Sequence, residues 1–418
     1  MLAETEGLVM NAPLPDPYSL PLDKLDPSRA ELFRTGQHWA YFERLRKEDP
    51  VHWVDSEEFG PYWSITRFKD IMYVDSHHEQ FSSEPTIVIG DSQIDFEPPM
   101  FIAMDAPKHD DQRAVVSPAV APKQLQEWER LIRARVQEVV ESLPVGQPFD
   151  WVDTVSIELT GRMLATLFGI PQDDRRKLTQ WSDVATSSPS VGFSAVTEEE
   201  RMAGLQECLA YFTEVWNQRV NAPPEMDFIS LLTHNPSTRN MEPLEYLGNL
   251  ILLIVGGNDT TRNSMTGGVY ALNQNPDQFA KLKADHSLIP NMVSEVIRWQ
   301  TPLAHMRRVA TCDVEVGGKT IKAGDKVVMW YVSGNRDEEV IENPNEFIID
   351  RARARQHMSF GFGIHRCMGN RLAEMQLRIL WEELLACFSD IEVVSEPERV
   401  ESNFVMGYTN MQVVLHPR

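Results

Sequence analysis

"FGFGIHRCMG", residues 360–369, decides how this chain is read. It sets two glycines, a histidine and an arginine directly ahead of Cys367. A strongly helical run, "NRLAEMQLRILWEELLACF" (370–388), follows. A thiol in the first turn of such a helix meets unpaired backbone N–H groups and the positive end of the helix dipole, and both favour thiolate. His365 and Arg366 add positive charge beside it. Gly361 and Gly363 permit turns that a side chain would forbid and let a flat ligand come close. A sulfur in this setting is either a nucleophile or a metal ligand.

Other chemistries fall away. The stretch begins like a dinucleotide fingerprint, but Arg366 stands where the third glycine belongs, and no strand–helix–strand frame surrounds it. HExxH, GxSxG and P-loop patterns are absent. The four cysteines (Cys208, Cys312, Cys367, Cys387) have neither zinc-finger spacing nor the density of a disulfide framework. A small core residue is the ordinary reading of a cysteine such as Cys387, well inside the helix.

The 418 residues are 42% hydrophobic, enough for a large core. No Gly/Ser linker, charge block or repeat divides them, so a single domain over 1–418 is expected. A Pro- and Asp-rich extended tail occupies about residues 1–30. The net charge of −23 speaks against a nucleic-acid partner. The most apolar run, "LILLIVGG" (250–257), falls short of the roughly 18 residues needed to span a bilayer. No signal-peptide pattern opens the chain, and a soluble, cytoplasmic protein of bacterial type is expected.

Helical periodicity recurs over 122–143, 154–168, 198–220, 243–273, 291–300 and 368–388. Strand patterns cluster at 51–68, 313–321 (a Gly-Gly hairpin), 326–333 and 411–416. The fold class is mostly α with a minor β-sheet region. Regular strand–helix alternation is missing, which argues against a doubly wound sheet.

A cysteine nucleophile needs a base within reach. His365, two residues away, is poorly placed to serve. A ligand needs none, but a metal held by one thiolate must bring further coordination of its own, as a porphyrin does. Its propionates would call for Arg and His partners.

Phe360, Gly363, Cys367 and Gly369 fill the four fixed places of the haem-ligand loop of the cytochrome P450 family, which this stretch resembles. Two more motifs agree, in the family's order. "GGNDTTRNS" places Gly256, Gly257, Asp259 and Thr260 like the family's oxygen-activating helix. "EVIR" supplies Glu295 and Arg298 one helical turn apart, with Arg351 as the matching third member of a structural cluster. The glycines cost roughly 1 kcal/mol each relative to alanine and would open a groove. A threonine there can bond back to a carbonyl. The competing reading of Asp259-Thr260 is a helix N-cap.

The resemblance implies a triangular-prism helical domain enclosing haem b (iron protoporphyrin IX), with Cys367 as axial iron ligand. Phe360, Gly361, Gly369 and Gly256 would border the haem. His109, Arg113, Arg308 and His365 would bind its propionates, with Arg307 a weaker alternative to Arg308. Thiolate ligation pushes electron density to the iron and favours O–O cleavage. Asp259 and Thr260 would relay protons to bound O2. Leu252, Val255, Gly256, Leu303 and Ala304 would face the substrate.

No reductase-like segment follows Cys367, so electrons from NAD(P)H are expected to arrive through a ferredoxin and its reductase. "RARAR" (351–355), that is Arg351, Arg353 and Arg355, with Arg366 and Arg371 could form a docking patch, solvated loop charges being the alternative. The strings "GPYWSI", "FIAMDAP", "QPFDWVD" and "VVMWYVSGNRD" extend the resemblance over most of the chain, toward bacterial terminal (omega) hydroxylases of medium-chain alkanes and fatty acids. It departs at 83–100 and 184–200, the segments that line the substrate entrance in that family. A hydroxylase of terpene-like or other compact apolar substrates is the alternative, and a non-catalytic haem-thiolate sensor a second.

Overall fold

The helix expected over 243–273 is the axis of the molecule. It runs from Pro243 to Gln274 without a break, its proline in the first turn where no N–H is needed. A helix apolar on nearly every face must be wrapped. This one packs against helices Glu158–Leu167, Arg175–Thr186, Ile289–Gln300 and Asn370–Cys387, burying Leu250, Ile254, Met265 and Leu272. The computed structural model describes residues 14–91, 98–189 and 196–418.

The helices expected near 122–143, 198–220 and 291–300 lie at Pro122–Ser142, Glu198–Arg219 and Ile289–Gln300. The run near 154–168 opens as a π-helical turn, Val152–Ile157, and continues as an α-helix, Glu158–Leu167. One large cluster of buried side chains joins these helices, and smaller clusters lie under the sheet.

Strands Val51–Ser56 and Gly60–Ile65 form the expected hairpin, with Val51 opposite Ile65. Gly60–Ile65 then pairs parallel to Lys326–Met329, which pairs antiparallel to Met306–Ala310, and Phe81–Ser82 closes the five-stranded sheet. Gly317 and Gly318 sit at φ +56° and +76°, and the tight turn of the hairpin 314–321 requires both. Gln412–Pro417 pairs with Phe388–Val393.

Two expectations need correction. The strand expected over 326–333 ends at Met329, and Tyr331–Gly334 is a short helix. Polar partners decide this: the Tyr331 hydroxyl donates to Asp75 and the Ser333 hydroxyl to the Thr66 carbonyl, both at 2.8 Å. The tail is also less extended than expected. Residues 1–13 lie outside the described residues, but Pro17–Ser19 and Leu22–Lys24 are 3₁₀ turns. The Tyr41 hydroxyl holds the Pro15 carbonyl at 3.0 Å, Arg44 holds that of Leu20 at 2.7 Å, and Leu25 is buried.

Candidate functional site: a thiol-floored apolar cavity

Cys367 precedes its helix rather than opening it. The helix runs Asn370–Cys387 with Gly369 as N-cap, so the cysteine stands two residues earlier. The Cys367 N–H donates to the Phe360 carbonyl at 2.8 Å, which folds the loop back on itself. Burial pushes the thiol up, while the N–H groups of Gly369 and Asn370 and the charges of Arg113 and Arg366 pull it down. Burial prevails. The helix mouth alone does not make the thiolate; a cation at the sulfur must complete that. The side chain is nonetheless accessible, because it faces a cavity.

That cavity holds about 1480 Å³ of atom-free space, counting its open part. Phe360, Gly361, Cys367 and Gly369 form one side, and Leu252, Gly256, Gly257 and Thr260 of the central helix line it as well. The two adjacent glycines divide their work. A Cβ on Gly256 would meet nothing within 4 Å, whereas one on Gly257 would press on Leu164 at 2.7 Å. The Thr260 hydroxyl donates to the Gly256 carbonyl at 2.8 Å, inside an unbroken helix, which excludes the N-cap reading.

Asp259 faces away from this space. It is fully buried, accepts the Ser182 hydroxyl at 2.8 Å and forms an ion pair with Arg262. Burial raises its carboxyl above the usual range, and the Arg262 charge opposes the rise.

The glycines of the cysteine loop serve a different neighbour from the one expected. Gly361 and Gly363 have φ of +64° and +63°. A Cβ on Gly363 would lie 2.3 Å from the Asp75 carbonyl oxygen, and one on Gly361 would lie 3.1 Å from its carboxylate. Both therefore make room for Asp75, and Gly361 alone of the two lines the cavity. Asp75 accepts three bonds: from Arg308 at 2.9 Å, the Tyr331 hydroxyl at 2.8 Å and the Phe362 N–H at 2.7 Å. Sequence reasoning missed this residue. Its string, "VDSHHEQFSS", carries no motif, and a buried carboxylate cannot be told there from a solvated one.

A cluster of nitrogen donors gathers at the cavity edge. Arg113, Arg308 and His365 line it. His109 packs against His365 with ring centroids 4.1 Å apart. Burial, with Arg308, His109 and Arg113 nearby, pushes His365 down to about 2, so its imidazole is neutral rather than the positive charge expected. Its Nε2 is bonded to Ser83 at 2.9 Å, while its Nδ1 is buried without a partner, as is Nε2 of His109. Arg113 bonds only to the Arg366 carbonyl among the described residues, and burial lowers it. Arg307 points elsewhere, to Asp91 at 2.6 Å.

Unpaired donors beside an apolar, thiol-floored cavity fit a flat apolar group that carries anionic arms and a metal. Haem is such a group. Buried polar atoms without partners are rare and call for an explanation, which the propionates of a haem would supply.

Glu295 and Arg298 are both fully buried, with Nη2 to Oε1 at 2.7 Å and Nε to Oε2 at 2.8 Å. Arg351 adds 3.1 Å from its Nε to Oε2, and the Ile348 N–H adds 2.9 Å. Arg298 also holds the Asn335 and Pro344 carbonyls at 2.9 Å. The carboxylate is thus saturated, as a buried charge must be.

Of the five expected substrate contacts, Leu252, Gly256 and Leu303 line the cavity. Ala304 is fully buried in the backbone ladder, and neither it nor Val255 is part of the lining. Phe101, Leu164, Phe228 and Met306 line it without having been anticipated. Parts of the expected entrance segments, 92–97 and 190–195, lie outside the described residues. Arg353, Arg355, Arg366 and Arg371 are all exposed, Arg355 bonded to Glu374 at 3.1 Å. No described helix is long and apolar enough to cross a membrane.

Comparison with known proteins agrees with this geometry. The family model described as Cytochrome P450 matches residues 197–415. Linalool 8-monooxygenase of Pseudomonas putida is 34% identical over 95% of this chain and 100% of its own. Methyl-branched lipid omega-hydroxylase of Mycobacterium tuberculosis is 32% identical over 89% of this chain and 90% of its own. Among solved structures, cytochrome P450-153 from Novosphingobium aromaticivorans superposes with a TM-score of 0.88 at 47% identity, covering 94% of this chain and 99% of that one. With its cysteine loop, its central helix and relatives along nearly its whole length, this chain belongs to the cytochrome P450 family and is a haem monooxygenase.

Proposed function

We propose that this monooxygenase hydroxylates the terminal carbon of medium-chain alkanes or of fatty acids. The observation that carries this reading is the cavity wall. Phe101, Leu164, Phe228, Leu252 and Leu303 line it, and among the described residues its only cations are the two arginines of the donor cluster, Arg113 and Arg308. Such a wall offers an apolar chain mostly dry contact and no charged anchor beyond the donor cluster. The absence of a further cation among the described lining residues favours the alkane, or the methyl end of an acid. The similarity to an omega-hydroxylase supports the same regiochemistry.

Cys367 would hold the iron. Arg113, Arg308, His109 and His365 would hold the propionates. Bound haem supplies activation of O2 for oxygen insertion into a C–H bond. The chain's own residues arrange the rest. The apolar wall excludes water from the reacting carbon. Thr260 holds a proton at Oγ1, donated to the Gly256 carbonyl, at the edge of the cavity. Asp259 delivers protons from the interior side, and must release Ser182 and Arg262 to do so. Electrons come from NAD(P)H through a ferredoxin and its reductase, docking on Arg353, Arg355, Arg366 and Arg371.

One titration tests the substrate reading. Dodecane, lauric acid and linalool are added in turn to haem-loaded protein, and the spin-state shift of the haem band is followed. Dodecane is expected to give the largest shift, with 1-dodecanol as product. Similarity to a linalool 8-monooxygenase favours a second reading, a compact terpene-like substrate, and a shift with linalool alone would establish it.

A further inference from the structure

A second cleft opens on the far side of helix Ile289–Gln300, apart from the haem cavity. It holds about 860 Å³ of atom-free space, on the same measure as the first. Trp39, Trp299, Tyr270 and Tyr408 supply aromatic walls, and Arg336 and Arg399 supply its only charges among the described residues. No acidic residue among those described lines it, in a chain of net charge −23.

Arg336 is 95% buried, being 5% exposed. Its guanidinium lies 3.6 Å from the ring centroid of Trp299 and 4.4 Å from that of Trp39. Nη1 donates to the Pro344 carbonyl at 3.0 Å, and Nε is buried without a partner. Nη2 has no hydrogen bond among the described residues, and no carboxylate pairs with this arginine. Three other arginines repel it (Arg298, Arg46 and Arg351), and only Glu295 offsets them. Burial and this repulsion hold its guanidinium well below the usual arginine range. Arg399 lies over the rings of Tyr408 and Tyr270, at 5.2 and 5.6 Å, also without a carboxylate partner among the described residues. Glu396 accepts the Tyr270 hydroxyl at 2.8 Å but is not part of the lining.

A buried cation without a counter-charge is costly and is normally paired. Arg336 is such a cation, and with the half-buried Arg399 between aromatic faces it makes a site with a positive floor and flat walls. We propose that this cleft binds a small anion, a carboxylate or a phosphate, carried on a flat aromatic body. The anionic oxygens meet Arg336 Nη2 and Arg399. The ring stacks against the tryptophan and tyrosine walls, as aromatic groups do at offset or edge-on geometry. The site is independent of haem and of the hydroxylation substrate.

The test uses the haem-loaded full-length protein and titration calorimetry, with the haem absorption band recorded in parallel. The probes are 2-naphthoate, its neutral counterpart 2-naphthamide, and phenyl phosphate. Naphthoate is expected to bind at one site without moving the haem band, and at least about tenfold more tightly than the amide. Arg399→Gln is expected to weaken naphthoate and phenyl phosphate by about tenfold or more. Trp39→Leu is expected to weaken naphthoate through loss of the wall. Phenyl phosphate binding more tightly than naphthoate identifies a phosphate ligand, and the reverse a carboxylate. Equal affinity for the amide, indifference to Arg399→Gln, a parallel shift of the haem band, or no binding of any probe overturns the proposal.

Discussion

The carboxylate of Asp75 and the N–H of Phe362 lie 2.7 Å apart, across 287 residues of sequence. The same carboxylate takes Arg308 at 2.9 Å. One buried acid therefore ties the cysteine loop to an arginine of the donor cluster. Asp75→Asn keeps the shape but leaves Arg308 without its counter-charge, so a loss of about 3 kcal/mol is expected, as for other broken buried pairs. Urea unfolding of the haem-loaded protein measures it. A midpoint equal to wild type would show that the tether is dispensable.

Cys367→Ala removes the one thiol that lines the cavity among the described residues. The reduced CO complex of that variant is expected to lack the thiolate-type absorption band entirely. Cys387→Ala, on the far end of the same helix, serves as the control and should retain it. A thiolate-type band in Cys367→Ala would assign the iron to another ligand.

Thr260→Ala deletes the hydroxyl bonded to the Gly256 carbonyl without touching the thiol loop. Haem content is expected to hold while reductant is diverted to peroxide, with product per NAD(P)H falling severalfold. Peroxide and product are counted together against cofactor use. Coupling as tight as in wild type would remove Thr260 from proton delivery.

Arg353→Ala with Arg355→Ala is expected to slow the ferredoxin-supported rate by about tenfold at low salt, with the gap to wild type closing at high salt, where surface charges are screened. A rate unchanged at low salt sends the docking site elsewhere. Arg355 is already bonded to Glu374, which reduces its share.

His38, His305 and His357 are held neutral by burial, pushed down to about 3, 4 and 4 respectively. Their folded values lie below the unfolded one, so the unfolded chain binds more protons in acid. The stability they permit is complete above about pH 6.5 and is lost as pH falls from there toward 4, at up to about 1.4 kcal/mol per pH unit for each ring. Denaturant midpoints at neutral and at mildly acidic pH measure the slope. A flat profile would mean that these rings gain protons without unfolding.

Local spacing made much of this molecule readable from its sequence. Glu295 and Arg298 share a helix face, and the Gly317-Gly318 turn is set by backbone sterics alone. The Phe360–Gly369 loop carries its own pattern. What escaped depends on distant chain segments. Strand alternation puts Arg308 toward the cavity and Arg307 toward Asp91, a choice that spacing alone left open. Asp75 gains its role only when residues 75, 308, 331 and 362 meet. Asp259 sits beside Thr260 in sequence, yet helical geometry turns it toward Ser182 and Arg262. The tail was read from its prolines, whereas Tyr41 and Arg44 decide its path.

Gly256 is a place on the central helix where the cavity can be made shallower without displacing a protein atom, since an added Cβ there meets none within 4 Å. Its neighbour Gly257 has no such latitude, because Leu164 blocks it. A single methyl group at position 256 therefore acts as a depth stop. Cavity depth is thus set at a helix position whose carbonyl still takes the Thr260 hydroxyl, while the thiol loop keeps its geometry.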